Sequence, residues 1–99
     1  MRMLLKIGMP VEAGNKAIKD GSMPKTVMAF VEQFNPEACY FIAEGGRRTG
    51  YFFFDLKEPA DIPSAAEPFF FALGASIEFT PAMNLEDMKA GIGKFMAGK

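Results

Sequence analysis

Lys6, Tyr40, Tyr51 and Glu78 are the residues of this chain whose types and spacing could do chemistry together. Side chains alternate across a strand, so residues of one parity share a face. Lys6 lies between Leu5 and Ile7, and Glu78 between Ile77 and Phe79, so each points away from its apolar neighbours. An even-length hairpin loop brings Tyr40 and Tyr51 onto one face, whereas a three-residue loop separates them. With the first and fourth strands side by side, Lys6 and Glu78 become cross-strand neighbours. A Lys–Glu pair partly removed from water has shifted pKa values and can serve as acid and base. The plainer alternative is an interfacial ion pair that fixes register, with the tyrosines supplying packing area. There is no histidine. Its absence removes Ser–His and Cys–His nucleophile pairs, histidine-bearing zinc sites and histidine-ligated haem.

The run Gly45-Gly46-Arg47-Arg48-Thr49-Gly50 offers a second kind of chemistry, in which backbone amides and the guanidiniums of Arg47 and Arg48 hold an anion. It lacks the GxxxxGK[ST] pattern, and a strand rather than a helix follows it. A hairpin turn, with glycines at positive φ and arginines in solvent, accounts for it more simply. Cys39 sits mid-strand between Ala38 and Tyr40 with nothing adjacent in sequence to activate it, so it reads as a packing thiol. The methionines towards both ends read as adaptable core. No acidic or methionine spacing supports a metal site, and no cofactor is expected.

The elements that must position these residues follow from periodicity. Met3 to Gly8 alternates as a strand and Pro10 ends it. Val11 to Asp20 is helical, with Val11, Gly14, Ala17 and Ile18 on one side. After Gly21, Ser22 as N-cap and Pro24 in the first turn start a second helix, carried by Val27, Phe30, Val31 and Phe34. Asn35-Pro36 stops it. Ala38 to Glu44 is a strand, Gly45 to Arg48 a turn, and Thr49 to Leu56 the returning strand. Pro59, and Asp61 as N-cap, open a helix through Ile62, Ala66, Phe69, Phe70 and Leu73, in which Pro68 is expected to force a kink or a split. Phe71 falls opposite Ile62, so it either turns inward at that kink or packs outside the monomer. Gly74 ends the helix, and Ala75 to Thr80 is a fourth strand. Asn84 and Asp87 make a capping box for a last helix with Leu85, Met88, Ile92 and Phe95 in a stripe. The order is β-α-β-β-α-β plus a C-terminal helix. This predicts one ferredoxin-like α+β domain over residues 1–99, a four-stranded antiparallel sheet with helices on one face.

Tyr51-Phe52-Phe53-Phe54 is aromatic at both parities, Tyr40-Phe41-Ile42 is apolar both ways, and Leu4 adds to the face away from the helices. A sheet face meeting water should instead alternate to polar. A second chain is the simplest cover, so a homodimer through the sheet face is expected. The alternative is that the C-terminal helix folds back over it.

Composition sets the remaining bounds. A chain of 99 residues with 49% apolar and 23% charged residues is an ordinary globular domain. A net charge of −1 argues against nucleic acid and anionic membranes as partners. One cysteine allows no intrachain disulfide and fits a reducing compartment. No apolar run is long enough to span a bilayer. The opening MRMLLKIGMP reads as a strand rather than a signal peptide, and a cytoplasmic location is expected.

The segments VEAGNKAIKDG, PEACYFIAEGGRRTGYFFFD and IPSAAEPFFFALGASIEFTPAMNLED resemble a family of small, uncharacterised bacterial proteins of about this length. The topology is similar to the dimeric α+β barrels, in which two ferredoxin-like protomers join their sheets. That resemblance implies a dimer but no single activity, since the wider group includes cofactor-free monooxygenases, haem-degrading enzymes and ligand-binding modules. The expected function is binding of an apolar or aromatic small molecule in a Tyr/Phe-lined cavity. The alternatives are a cofactor-independent oxygenase or isomerase using Lys6, Glu78 and tyrosine, or a purely structural or regulatory assembly protein.

Overall fold

The computed structural model describes residues 1–98. Its elements are β1 (Arg2–Gly8), α1 (Val11–Asp20), α2 (Ser22–Phe34), β2 (Ala38–Glu44), β3 (Arg47–Asp55), α3 (Ile62–Leu73), β4 (Ser76–Pro81) and α4 (Leu85–Ala97), with a 3-10 turn at Pro59–Asp61 before α3. The four strands form one open antiparallel sheet in the order β2-β3-β1-β4. The molecule is α+β.

Alternation sorts the strand residues onto two faces. Met3, Leu5 and Ile7 of β1 and Phe52 and Phe54 of β3 are buried. On them lie α2 and α3, through an aromatic cluster in which the Phe30 ring sits 4.9 Å from Phe52, 5.3 Å from Phe54 and 5.6 Å from Phe69. Burial of Ala65, Ala66, Phe69 and Leu73 holds α3 against the sheet. The helix is not split at Pro68, which costs it one backbone donor, to the Ser64 carbonyl. Phe71 stays 87% exposed, so nothing turns it inward.

Several local expectations change. Ser22 does not cap α2. Gly21 takes the cap position with φ of 80°, and the Ser22 amide donates to Asp20 Oδ1 at 2.8 Å. Asp61 makes no side-chain cap to α3. Val11 and Ile18 of α1 are half exposed, and Gly14 and Ala17 alone of that helix are buried. The hairpin turn is only Gly45-Gly46, with φ of 60° and 76°, the left-handed pair a two-residue turn requires. Arg47 and Arg48 therefore belong to β3 rather than to the turn.

The C-terminal helix does not fold back over the sheet. Its capping box forms as expected: the Asp87 amide donates to Asn84 Oδ1 at 2.7 Å, and the Asn84 amide to Asp87 Oδ2 at 3.1 Å. Arg2 holds the first turn to the body, with Nη1 2.7 Å from Asp87 Oδ2 and Nε 2.7 Å from Glu37 Oε1. Beyond that α4 buries no residue. Its projection stretches the molecule to 55 × 28 × 17 Å and gives a radius of gyration of 15.8 Å, against about 13 Å for a compact domain of this length.

Candidate functional site

The second face of the sheet is open. Register places Tyr40 opposite Tyr51, Tyr51 opposite Lys6, and Lys6 opposite Glu78. The four residues singled out from sequence thus form a single transverse row across β2, β3, β1 and β4. The two-residue turn is the reason: an even loop preserves parity between β2 and β3. The next row along the strands is Ala38, Phe53, Leu4 and Thr80, and the row on the turn side is Ile42, Thr49, Gly8 and Ser76.

Within the central row the polar groups are tied by a residue that sequence reasoning missed. Glu44, at the end of β2, accepts a hydrogen bond from the Tyr51 hydroxyl through Oε1, while its Oε2 lies 2.5 Å from Lys6 Nζ. Glu78 sits further off, 3.8 Å from the same ammonium. Lys6 Nζ also stands 5.8 Å from the centre of the Tyr51 ring, within cation–π reach. To make these contacts, Glu44 and its partners bridge across the row holding Thr49, a polar residue that is buried. The Thr49 hydroxyl donates to the Arg47 carbonyl at 3.2 Å. Glu44 shares its parity with Tyr40 four residues earlier. That signal was present in the sequence, but nothing in periodicity shows how far a strand-end side chain reaches back.

The electrostatics follow from these contacts. Hydrogen bonding to Glu44 raises Lys6 above the ordinary lysine value, and hydrogen bonds from Lys6 and Tyr51 hold Glu44 below the ordinary carboxylate value. Tyr51 is raised, chiefly because its proton is shared with the Glu44 carboxylate. At neutral pH the cluster is an ammonium, a carboxylate and a neutral phenol. It offers donors and an acceptor, with no group brought towards neutrality for proton transfer.

The other candidates are dispersed. Arg47, paired with Glu44 in the ladder, is exposed on the open face. Arg48 points the other way, where a Cβ at Gly14 of α1 would come within 2.8 Å of its Nη1. The two guanidiniums therefore do not converge. Cys39 is partly covered, and burial raises its thiol pKa, which suits packing rather than nucleophilic attack. Among the described residues no group of three or more acidic or cysteine side chains is arranged to hold a metal, and no helix is long and apolar enough to cross a membrane.

The recesses on the helix side include two that matter here, and neither is lined by Lys6, Tyr40, Tyr51 or Glu78. A groove of 490 Å³ runs between α2 and α3, over Phe30, Ala65 and Phe69 with Phe71 at its margin. A recess of 400 Å³ opens between α1, α2 and the edge strand β2, beside Phe41 and Arg48. The Thr26 hydroxyl at the first is spent on the Ser22 carbonyl at 2.7 Å. Comparison with protein-family models, with curated proteins and with solved structures gives no match.

Proposed function

We propose that this chain is a homodimeric binding module of the ferredoxin-like, dimeric α+β barrel type, whose open sheet face is the floor of a cleft for an apolar or aromatic small molecule. The strand order β2-β3-β1-β4, antiparallel throughout, supports the ferredoxin-like assignment. The observation that carries the binding role is the Lys6–Glu44–Tyr51 cluster set among Leu4, Tyr40, Ile42 and Phe53 on a face that one chain leaves open. Apolar walls with a few convergent polar groups are the general make-up of a ligand site. Rings of the ligand stack on Tyr40 and Phe53, and one polar end meets the Lys6 ammonium or the Glu44 carboxylate. Binding suits this cluster better than acid–base catalysis, because Lys6 is held above and Glu44 below their ordinary values.

The volume of the α2–α3 groove favours a second site for the same class of ligand. Thermal-shift measurements with naphthoate and with naphthalene as probes separate the two. Saturable stabilisation, about 2.7 kcal/mol at one hundred times the dissociation constant, is expected. Loss of the naphthoate shift in Lys6→Ala with Tyr51→Phe places the ligand on the sheet. Retention there, with loss in Ala29→Trp, which fills the groove, moves it to the helices. No shift with either probe removes the binding role.

A further inference from the structure

We infer that α4 is an exchanged arm: the helix of one protomer lies across the open sheet face of a second copy, and the reciprocal contact closes the cleft on both. This rests on the homodimeric reading above and names the element that makes the dimer. The first observation is that α4 is a 13-residue helix that buries none of its residues, a length at which an isolated helix is marginal in water. Leu85, Met88, Ile92 and Met96 remain 42–60% exposed. At 100° per residue they fall within an arc of about 80°. Asp87 lies about 140° around the helix from the centre of that arc. Because Asp87 is the residue bonded to Arg2, the clamp turns the polar side of α4 to its own body and presents the apolar stripe outward.

The second observation is the matching surface on the same chain. The open face offers Leu4, Phe53, Tyr40 and Ile42 from three of its four strands, and the sheet is about 19 Å across at the usual strand spacing. Thirteen helical residues span about 20 Å. Laid across the strands, a helix about 10 Å in diameter covers roughly half of the ~23 Å length of a seven-residue strand, which leaves the other half as the cleft. Charge agrees as well. The sheet carries the exposed Glu78, and Lys89 borders the stripe on α4, about 60° from its centre. Four large apolar side chains hide roughly 60–120 Å² apiece when covered. With the equal area of sheet beneath, each protomer then buries about 500–1,000 Å², which brackets the 800 Å² of a stable dimer. A heterologous contact would leave an uncovered stripe at one end of a chain of molecules and an uncovered sheet face at the other, whereas two-fold exchange leaves neither.

Sedimentation of the full chain tests the arm, and mixed-chain cross-linking tests its geometry. The wild type is expected to be a dimer, and Ile92→Lys to raise its dissociation constant about tenfold or more with unchanged strand circular dichroism. In a Cys39→Ser background, Ile92→Cys chains mixed with Tyr40→Cys or Thr80→Cys chains are expected to form an interchain disulfide under mild oxidation. A wild-type dimer indifferent to Ile92→Lys overturns the arm and leaves the sheet-face dimer standing. A monomeric wild type overturns both. Cross-linking only within a double-variant chain shows that α4 folds back on its own sheet, and cross-linking to Ala29→Cys in the α2–α3 groove shows the wrong docking site; either result sinks the proposal.

Discussion

The two faces of this sheet are made by the same strands and differ only in parity. On one, Leu5, Phe52 and Phe54 have 1% exposure or less and meet a cluster of phenylalanines from α2 and α3. On the other, Leu4, Tyr51 and Phe53 are partly covered at best, and a charged cluster lies among them. Similar residue types one position apart therefore hold the fold on one side and remain available on the other. The difference comes from what each face meets and not from hydrophobicity.

That contrast predicts unequal responses to equal substitutions. Phe52→Ala removes a fully buried ring from the centre of the aromatic cluster and should cost about 3–5 kcal/mol in chemical denaturation. Phe53→Ala, next door, should cost about 1 kcal/mol or less in the monomer. Equal losses would show that the open face is as much core as the other. Glycines repeat the test at smaller scale. A Cβ at Gly50 on the covered face would come within 3.1 Å of Ile7 Cγ1 and of the Phe52 ring, so Gly50→Ala should overpack and cost about 1–3 kcal/mol. At Gly8, on the open face, the Cβ meets only Ser76 Oγ, at 3.0 Å, which rotates away at the loss of its exposed 3.3 Å bond to the Gly8 carbonyl. Gly8→Ala should therefore change stability by less than about 1 kcal/mol.

The smallest effect concerns titration. Glu44 is held below its ordinary value, so its share of stability is complete above pH 4.5 and is lost as pH falls through the folded value. Tyr51 and Lys6 are raised, so theirs is complete below pH 10 and is lost as pH rises beyond it. In Tyr40→Phe, phenolate absorbance should show Tyr51 ionising above pH 10, and adding Glu44→Gln should lower that midpoint. An unmoved midpoint would remove the Glu44–Tyr51 bond from the account.

Most of the backbone was legible because alternation and caps act locally. Leu5 and Ile7 flanking Lys6, and Asn84 with Asp87, each declared an element within a few residues. The transverse row followed from parity once the loop was even. Glu44 was missed because its part in the cluster depends on side-chain reach over Thr49. A run rich in glycine and charge resembles a loop and so places Arg47 and Arg48 in the turn, although two glycines suffice to reverse the chain. The stripe on α4 announced that the helix needs cover, but local pattern carries no information about which surface supplies it. Pro68 was expected to kink or split α3, yet the helix is not split there.

The central place of β1 bears on how the chain is made. β1 is made before the other three strands of the sheet, and its partners β3 and β4 begin at Arg47 and Ser76. At about 5–20 residues per second, one edge waits roughly 4–15 s for β4 to be completed. Through that interval Met3, Leu5 and Ile7 stand in an apolar strand with at least one unpaired edge. Arg2 and Lys6, interleaved with them, place charge on the segment most prone to pair with the wrong chain. The same two side chains that later clamp α4 and anchor the open-face cluster thereby guard the nascent strand before either structure exists.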